Sequence, residues 1–228
     1  VIGAGIMGGD IAAWCALRGL KVTLQDRDSK YIESAIKRGH KLFEKKLKSA
    51  DLINSTKTLL IADAGGKGLS EADLIIEAIY ENLELKQELY KYINENRKEK
   101  SILTTNTSSI TLELLRKDLI EPEKFIGLHF FNPVALLPLV EVIKCGDTSN
   151  ESLDTVLSFV KKIGKLPIVC KSSPGFVVNR VLAPYMAEAM YMVMEGIPLN
   201  VIDEIAEDFG MPMGPIELID TVGIDIAQ

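Results

Sequence analysis

A chain of 228 residues, 47% hydrophobic and 25% charged, carries enough apolar content to bury one or two globular cores. Its formal net charge of −6 offers no overall attraction to nucleic acid or anionic lipid, so a polyanionic ligand must be held by local features such as helix N-termini or a few lysines. No apolar run approaches a membrane span, no signal peptide is visible, and the cysteines Cys15, Cys145 and Cys170 lack metal-ligand spacing, which points to reduced thiols in an intracellular, cytoplasmic setting.

Val1-Ile2 reads as the tail of a strand, and Gln228 follows a helix start, so a fragment of a longer protein is expected. Gly3-Ala4-Gly5-Ile6-Met7-Gly8 makes the turn into a helix, with Ile11, Ala12, Cys15 and Ala16 at helical spacing until Gly19 stops it. Lys21 to Gln25 alternates as a strand and ends at Asp26. This order of strand, Gly-x-Gly-x-x-Gly, helix, strand and acid is the grammar of a dinucleotide site. Gly3 permits the tight turn, Gly5 lets a pyrophosphate approach the backbone, and Gly8 allows close helix–strand packing. Ile6 and Met7 complete the cofactor-binding turn. Asp26 is placed to accept from the adenosine ribose hydroxyls, and its charge favours NAD over NADP, although Arg27 beside it pulls slightly the other way. Alone, the glycine pattern would be a weak signal, since an ordinary glycine-rich turn can also carry it. Asp10, in the first helical turns, would oppose a pyrophosphate and is expected to point away from it.

Tyr31 to Lys48 reads as a helix dense in Lys37, Arg38, Lys41, Lys45, Lys46 and Lys48, either a clamp for a phosphorylated substrate or, more simply, a solvated face. Residues 49–70 include Ala64-Gly65-Gly66-Lys67-Gly68, read as a loop. Leu74 to Ala78 suits a buried parallel strand, Glu81-Asn82 opens a helix that contains Lys86, and Ser101 to Thr105 is a strand ending at Asn106-Thr107-Ser108-Ser109. Ligands of open parallel sheets bind beyond the carboxyl ends of strands, which makes Ser108 a site candidate and leaves Ser109 or Thr111 to cap the next helix.

Phe125 to Leu128 is strand-like, with His129 at its end, and Glu141 interrupts the apolar run Leu139 to Ile143. A buried glutamate is costly to ionise without a partner, and pairing with His129 would remove that cost and fix the imidazole tautomer. A histidine so held can take a hydroxyl proton at neutral pH. The plainer alternatives are a satisfied core histidine, an edge-strand carboxylate facing water, and a simple turn at Asn132-Pro133. Glu151 to Ile163 is an amphipathic helix and Leu166 to Val169 a strand. After Ser172-Ser173-Pro174-Gly175 only helical patterns remain: Phe176 to Glu195, Leu199 to Phe209, and from Pro215 onward. The expectation is therefore an α/β fold. Residues 1–172 form a Rossmann-type, mostly parallel sheet with helices on both faces, and residues 173–228 an incomplete all-helical domain. Asn179 lies beside that seam, as a substrate contact or as a solvent-facing polar residue at a helix start.

Gly3 to Gly8, Asn106 to Ser109, Gly127-Leu-His-Phe-Phe-Asn-Pro133, Pro174-Gly-Phe-Val-Val-Asn-Arg180 and Met213-Gly-Pro-Ile-Glu-Leu218 together resemble the 3-hydroxyacyl-CoA dehydrogenases, in particular the dehydrogenase part of bacterial multifunctional fatty-acid oxidation proteins. The resemblance runs collinearly over essentially the whole chain. It implies an NAD-dependent oxidoreductase of lipid metabolism that oxidises (S)-3-hydroxyacyl-CoA to 3-ketoacyl-CoA in β-oxidation, with no metal. It also implies His129 as the base, Glu141 as its partner, Ser108 on the substrate oxygen and Asn179 near the reacting groups. Asp26 matches the ribose-binding acid, and Glu81, Lys86 and Asn106 match further NAD contacts. An acyl-CoA is the implied substrate, and a homodimer or a fused multifunctional complex the implied assembly of the full-length protein. Pro138 stands where simpler members often have lysine. Two other readings are a dehydrogenase of free β-hydroxy acids, which usually relies on a lysine base, and a non-catalytic NAD-binding protein.

Overall fold

The computed structural model describes residues 1–222. They fall into two compact units, Val1–Pro174 and a second that begins at Gly175, which are taken one at a time.

The first unit is built on a sheet that starts with the first two residues of the chain. Ile2 makes parallel bridges to Gln25 on one side and Glu77 on the other. It thereby joins the pair β1 (Val22–Leu24) and β2 (Leu60–Ala62) to the strands β3 (Leu74–Glu77), β4 (Ile102–Thr105), β5 (Phe125–Phe130), β6 (Leu139–Lys144) and β7 (Leu166–Lys171). All pairings are parallel except β5 with β6, which run antiparallel through the connection at Asn132-Pro133, a cis peptide. The mostly parallel Rossmann-type sheet read from the sequence is thus present. Strand β5 is buried along its whole length and β6 from Val140 to Ile143, as strands covered on both faces must be. Side chains such as Ile126, Leu128, Val140 and Val142 are fully buried, each contributing about 1.5–3 kcal/mol.

Helix α1 (Ile6–Leu17) enters from the glycine turn and is buried on nearly every side. Gly3 has φ +101, and a Cβ there would lie 2.4 Å from the Ala78 carbonyl oxygen; at Gly8 it would lie 1.9 Å from Gly3 O. Only glycine permits this closeness of helix and strand. Helix α2 (Ser29–Lys46) buries Ile32, Ala35, Gly39 and Phe43, and turns Lys37, Lys41, Lys45 and Lys46 to the surface. It starts two residues earlier than the periodicity suggests because Asp28 caps it, accepting from Lys30 N at 2.9 Å.

The stretch 49–70 departs from the sequence reading. It holds α3 (Ala50–Leu59) running directly into β2, with the glycine-rich turn only after them. Asn54, Ser55, Thr56 and Thr58 weaken the helical signal, and a three-residue strand without a breaker before it leaves almost none. Helix α4 (Leu83–Asn96) is capped by Asn82, which accepts from Leu85 N at 2.9 Å. The cap expected from Ser109 or Thr111 on α5 (Leu112–Leu115) comes from elsewhere: Ser172 Oγ accepts from Leu112 N at 2.9 Å, and Ser109 faces Glu81. Helix α6 (Asn150–Lys162) packs against β6 and β7.

The second unit contains α7 (Val178–Met194), α8 (Leu199–Phe209) and α9 (Pro215–Val222), with α9 packed on both of the others. Asp203 caps α9, accepting from Ile216 N at 2.8 Å and Glu217 N at 3.1 Å. Among the described residues, no helix is long and apolar enough to cross a membrane.

Candidate functional site

Strand register brings the candidate residues to one edge of the sheet. Ile2 is level with Glu77, Glu77 with Thr105, and Thr105 with Gly127. The turn Gly3–Gly8, the segment Ala78–Glu81, the turn Asn106–Ser109 and His129 therefore follow one another along the carboxyl edge, where open parallel sheets hold their ligands.

At the glycine turn, Gly5 precedes α1 with no side chain capping the helix, and a Cβ on Gly5 would meet nothing within 4 Å. An open space in front of uncapped helix N–H groups fits a phosphate-bearing ligand. Ile6 is exposed beside it and Met7 is half-buried against the core. Asp26 Oδ2 accepts from Ala4 N at 2.6 Å and Oδ1 from Asp28 N at 3.3 Å, which anchors the carboxylate to the turn. Asp10 turns to α2, where Arg38 Nε lies 3.5 Å away; Arg38 also donates to Gly5 O at 2.9 Å.

His129 and Glu141 are directly opposed partners of the antiparallel pair, so both project from the same face of the sheet. Their side chains meet, His129 Nδ1 to Glu141 Oε2 at 2.8 Å, with Glu141 fully buried and His129 7% exposed. An ionised carboxylate only accepts, so Nδ1 carries the proton and the imidazole lone pair lies on Nε2. Phe131 packs edge-on to the imidazole at 4.6 Å between centroids. Asn106 Oδ1 accepts from Phe130 N at 2.9 Å, which ties the end of β4 to the residue after His129.

Ser108 is half-buried in the turn after β4, and its N–H donates to Glu81 Oε1 at 3.0 Å. The same oxygen accepts from Ser109 N, Ser109 Oγ and Thr107 Oγ1. Burial alone would raise the Glu81 carboxyl, but the Lys86 ammonium and these hydrogen bonds outweigh it and hold the group below the ordinary glutamate value. Lys86 is itself buried, with Nζ 2.6 Å from Glu77 Oε1 and 3.4 Å from Glu81 Oε2. Glu77, Tyr90 and Thr105 are the members of this cluster that sequence reasoning missed. The usable signal was Glu77 closing the apolar run Leu74 to Ile76, the same signature that singled out Glu141. Asn179 lies half-buried in the first turn of α7, within the second unit. Among the described residues, no group of acidic, histidine or cysteine side chains is arranged to hold a metal ion.

Residues 1–173 match the family model described as 3-hydroxyacyl-CoA dehydrogenase, NAD binding domain, and residues 175–228 match 3-hydroxyacyl-CoA dehydrogenase, C-terminal domain. A fatty acid oxidation complex subunit alpha from Pseudomonas savastanoi pv. phaseolicola is 41% identical over 99% of this chain, which spans 32% of that relative's length. An (S)-3-hydroxybutyryl-CoA dehydrogenase from Ralstonia eutropha superposes with a TM-score of 0.93 at 35% identity, covering 99% of this chain and 82% of its own. A 3-hydroxybutyryl-CoA dehydrogenase from Escherichia coli gives 0.93 at 37% identity, covering 100% and 49%. With the first family model matched over the sheet whose carboxyl edge carries the glycine turn and the His129–Glu141 pair, and the second over the helices after it in the sequence, the chain belongs to the 3-hydroxyacyl-CoA dehydrogenase family.

Proposed function

We propose that the protein oxidises (S)-3-hydroxyacyl-CoA to 3-ketoacyl-CoA with NAD in fatty-acid β-oxidation, as part of a multifunctional complex or a homodimer in the cytoplasm. The observation that carries this reading is the buried His129–Glu141 pair at 2.8 Å on the carboxyl edge that also holds the glycine turn. Residues 1–172 carry the cofactor: the uncapped turn from Gly3 to Gly8, with Ile6 and Met7, takes the pyrophosphate, and Asp26 takes the adenosine ribose. Glu81, Lys86 and Asn106 shape the nicotinamide side, with Lys86 acting through Glu81.

NAD, when bound, supplies the hydride acceptor at C3 of the substrate. The residues supply the rest. Nε2 of His129 takes the proton of the 3-hydroxyl, and Glu141 stabilises the imidazolium that forms. Ser108 holds the substrate oxygen in reacting geometry. A lysine base has no support in the first unit's buried lysines: Lys86 is held between two carboxylates, and Lys165 donates to Val134 O and Leu137 O.

Two outcomes are expected. Acetoacetyl-CoA is reduced at the expense of NADH, whereas free acetoacetate is turned over at least about 10²-fold less efficiently, because remote binding energy is lost. Equal efficiency on the free acid would replace this reading with a free-acid dehydrogenase. In Asp26→Ala, KM for NAD rises about 10- to 100-fold, the scale of a lost charged hydrogen bond, with little change in turnover at saturation. Turnover abolished at saturating NAD would show that Asp26 does more than bind.

A further inference from the structure

Glu77 closes β3 and is fully buried, yet it makes four side-chain hydrogen bonds. Oε1 accepts from Lys86 Nζ at 2.6 Å and Ile79 N at 2.8 Å, and Oε2 from Tyr90 OH and Thr105 Oγ1, each at 2.7 Å. A carboxylate with all its acceptor sites filled is a strong fixed point in a low-dielectric interior. Two paths run from it to the catalytic edge. One passes through Lys86 to Glu81, whose Oε1 gathers the N–H groups of Ser108 and Ser109 and the hydroxyls of Thr107 and Ser109. The other is the backbone: Glu77 O accepts from Asn106 N at 2.7 Å, and Asn106 Oδ1 accepts from the N–H that follows His129.

We propose that Glu77 is a positioning residue for the reaction. Through Lys86 and Glu81 it holds the Thr107–Ser109 turn, and with it Ser108, at the level His129 occupies on the neighbouring strand. This rests on the dehydrogenase reading above. Lys86 is the hinge of the device. With both carboxylates present its ammonium is shared, and Glu81 keeps one oxygen for the turn. Should Glu77 lose its charge, Lys86 keeps Glu81 as its counter-ion among the described residues and draws that carboxylate away from the turn. Burial first, then the Glu77 charge, hold the Tyr90 phenol above its ordinary value, so Tyr90 stays a neutral donor to Glu77.

The test is Glu77→Gln in the full-length protein. Glutamine keeps the shape and can still bond Tyr90 and Thr105, so it removes chiefly the charge. Expected is a fall of about 10- to 100-fold in kcat with acetoacetyl-CoA, the scale of a small misplacement at a reacting centre, with a smaller change in KM for NADH. Amide exchange at Ser108 and Ser109 quickens by about 10-fold or more, while that at Leu128 and Val142 is unchanged. Adding Lys86→Gln restores part of kcat, because Glu81 is no longer pulled. A merely structural Glu77 would lower Tm and leave kcat per folded molecule and the two serine amides as in the wild type; that result overturns the proposal. If Glu77→Gln does not fold, Glu77→Asp draws the carboxylate back from Lys86, and unchanged serine exchange and kcat in that variant overturn it equally. The exchange measurement needs no substrate. A wild type that shows no turnover, with the serine amides still responding to Glu77→Gln, would sink the dehydrogenase reading and leave the hold on the turn standing.

Discussion

His129→Ala is expected to lower turnover of a 3-hydroxyacyl-CoA by about 10²- to 10⁴-fold, the usual loss on removing a positioned general base. NAD binding should survive, because the glycine turn and Asp26, whose carboxylate is anchored to Ala4 N, lie on other strands. The variant leaves Glu141 buried without the imidazole opposite, so part of its cost falls on stability. Breaking a buried pair by removing one partner costs about 3–5 kcal/mol. Turnover must therefore be compared per folded molecule, with folding checked by thermal unfolding. Near-normal turnover by folded His129→Ala would remove His129 from the chemistry.

Glu141→Gln is the second large effect, and it separates charge from shape. The amide oxygen can still accept from His129 Nδ1, so the imidazole stays in place, but the negative charge that steadies an imidazolium is gone. Loss of the comparable carboxylate in a histidine-centred site costs about 10⁴-fold, and a fall of about 10²- to 10⁴-fold is expected here. The two residues act as a unit, so His129→Ala combined with Glu141→Gln should be little worse than His129→Ala alone. Fully additive losses would mean that Glu141 works on something other than His129. Glu141 also has Cys170 Sγ 4.0 Å from its other oxygen, which makes a larger substitution at either position a packing test rather than a chemical one.

The pairing of His129 with Glu141 was legible in the sequence because it rests on local signals: a histidine at a strand end, and a glutamate where an apolar strand has no room for an unpaired charge. The glycine turn was legible for a similar reason, since its residue types are dictated by backbone geometry that only glycine meets. The antiparallel register that sets the two side chains opposite each other was not. Nothing in the residues 132–138 states whether the chain reverses or crosses over. The strand Leu60–Ala62 was hidden by its length and by a helix that runs straight into it. The buried network was the largest omission. Lys86 stands out in the sequence only as a match to a cofactor-contacting position, and only the fold places it 2.6 Å from Glu77. Ser172 capping α5 from sixty residues away is likewise a long-range contact that no local pattern encodes.

The most direct measurement mixes the full-length protein with NADH and acetoacetyl-CoA and follows NADH absorbance, with NADH affinity determined separately, for the wild type and His129→Ala side by side. The account predicts rapid NADH oxidation by the wild type, and a variant that binds NADH as tightly yet oxidises it orders of magnitude more slowly. A wild type that binds NADH and leaves acetoacetyl-CoA untouched, or a folded variant that keeps the wild-type rate, would contradict it.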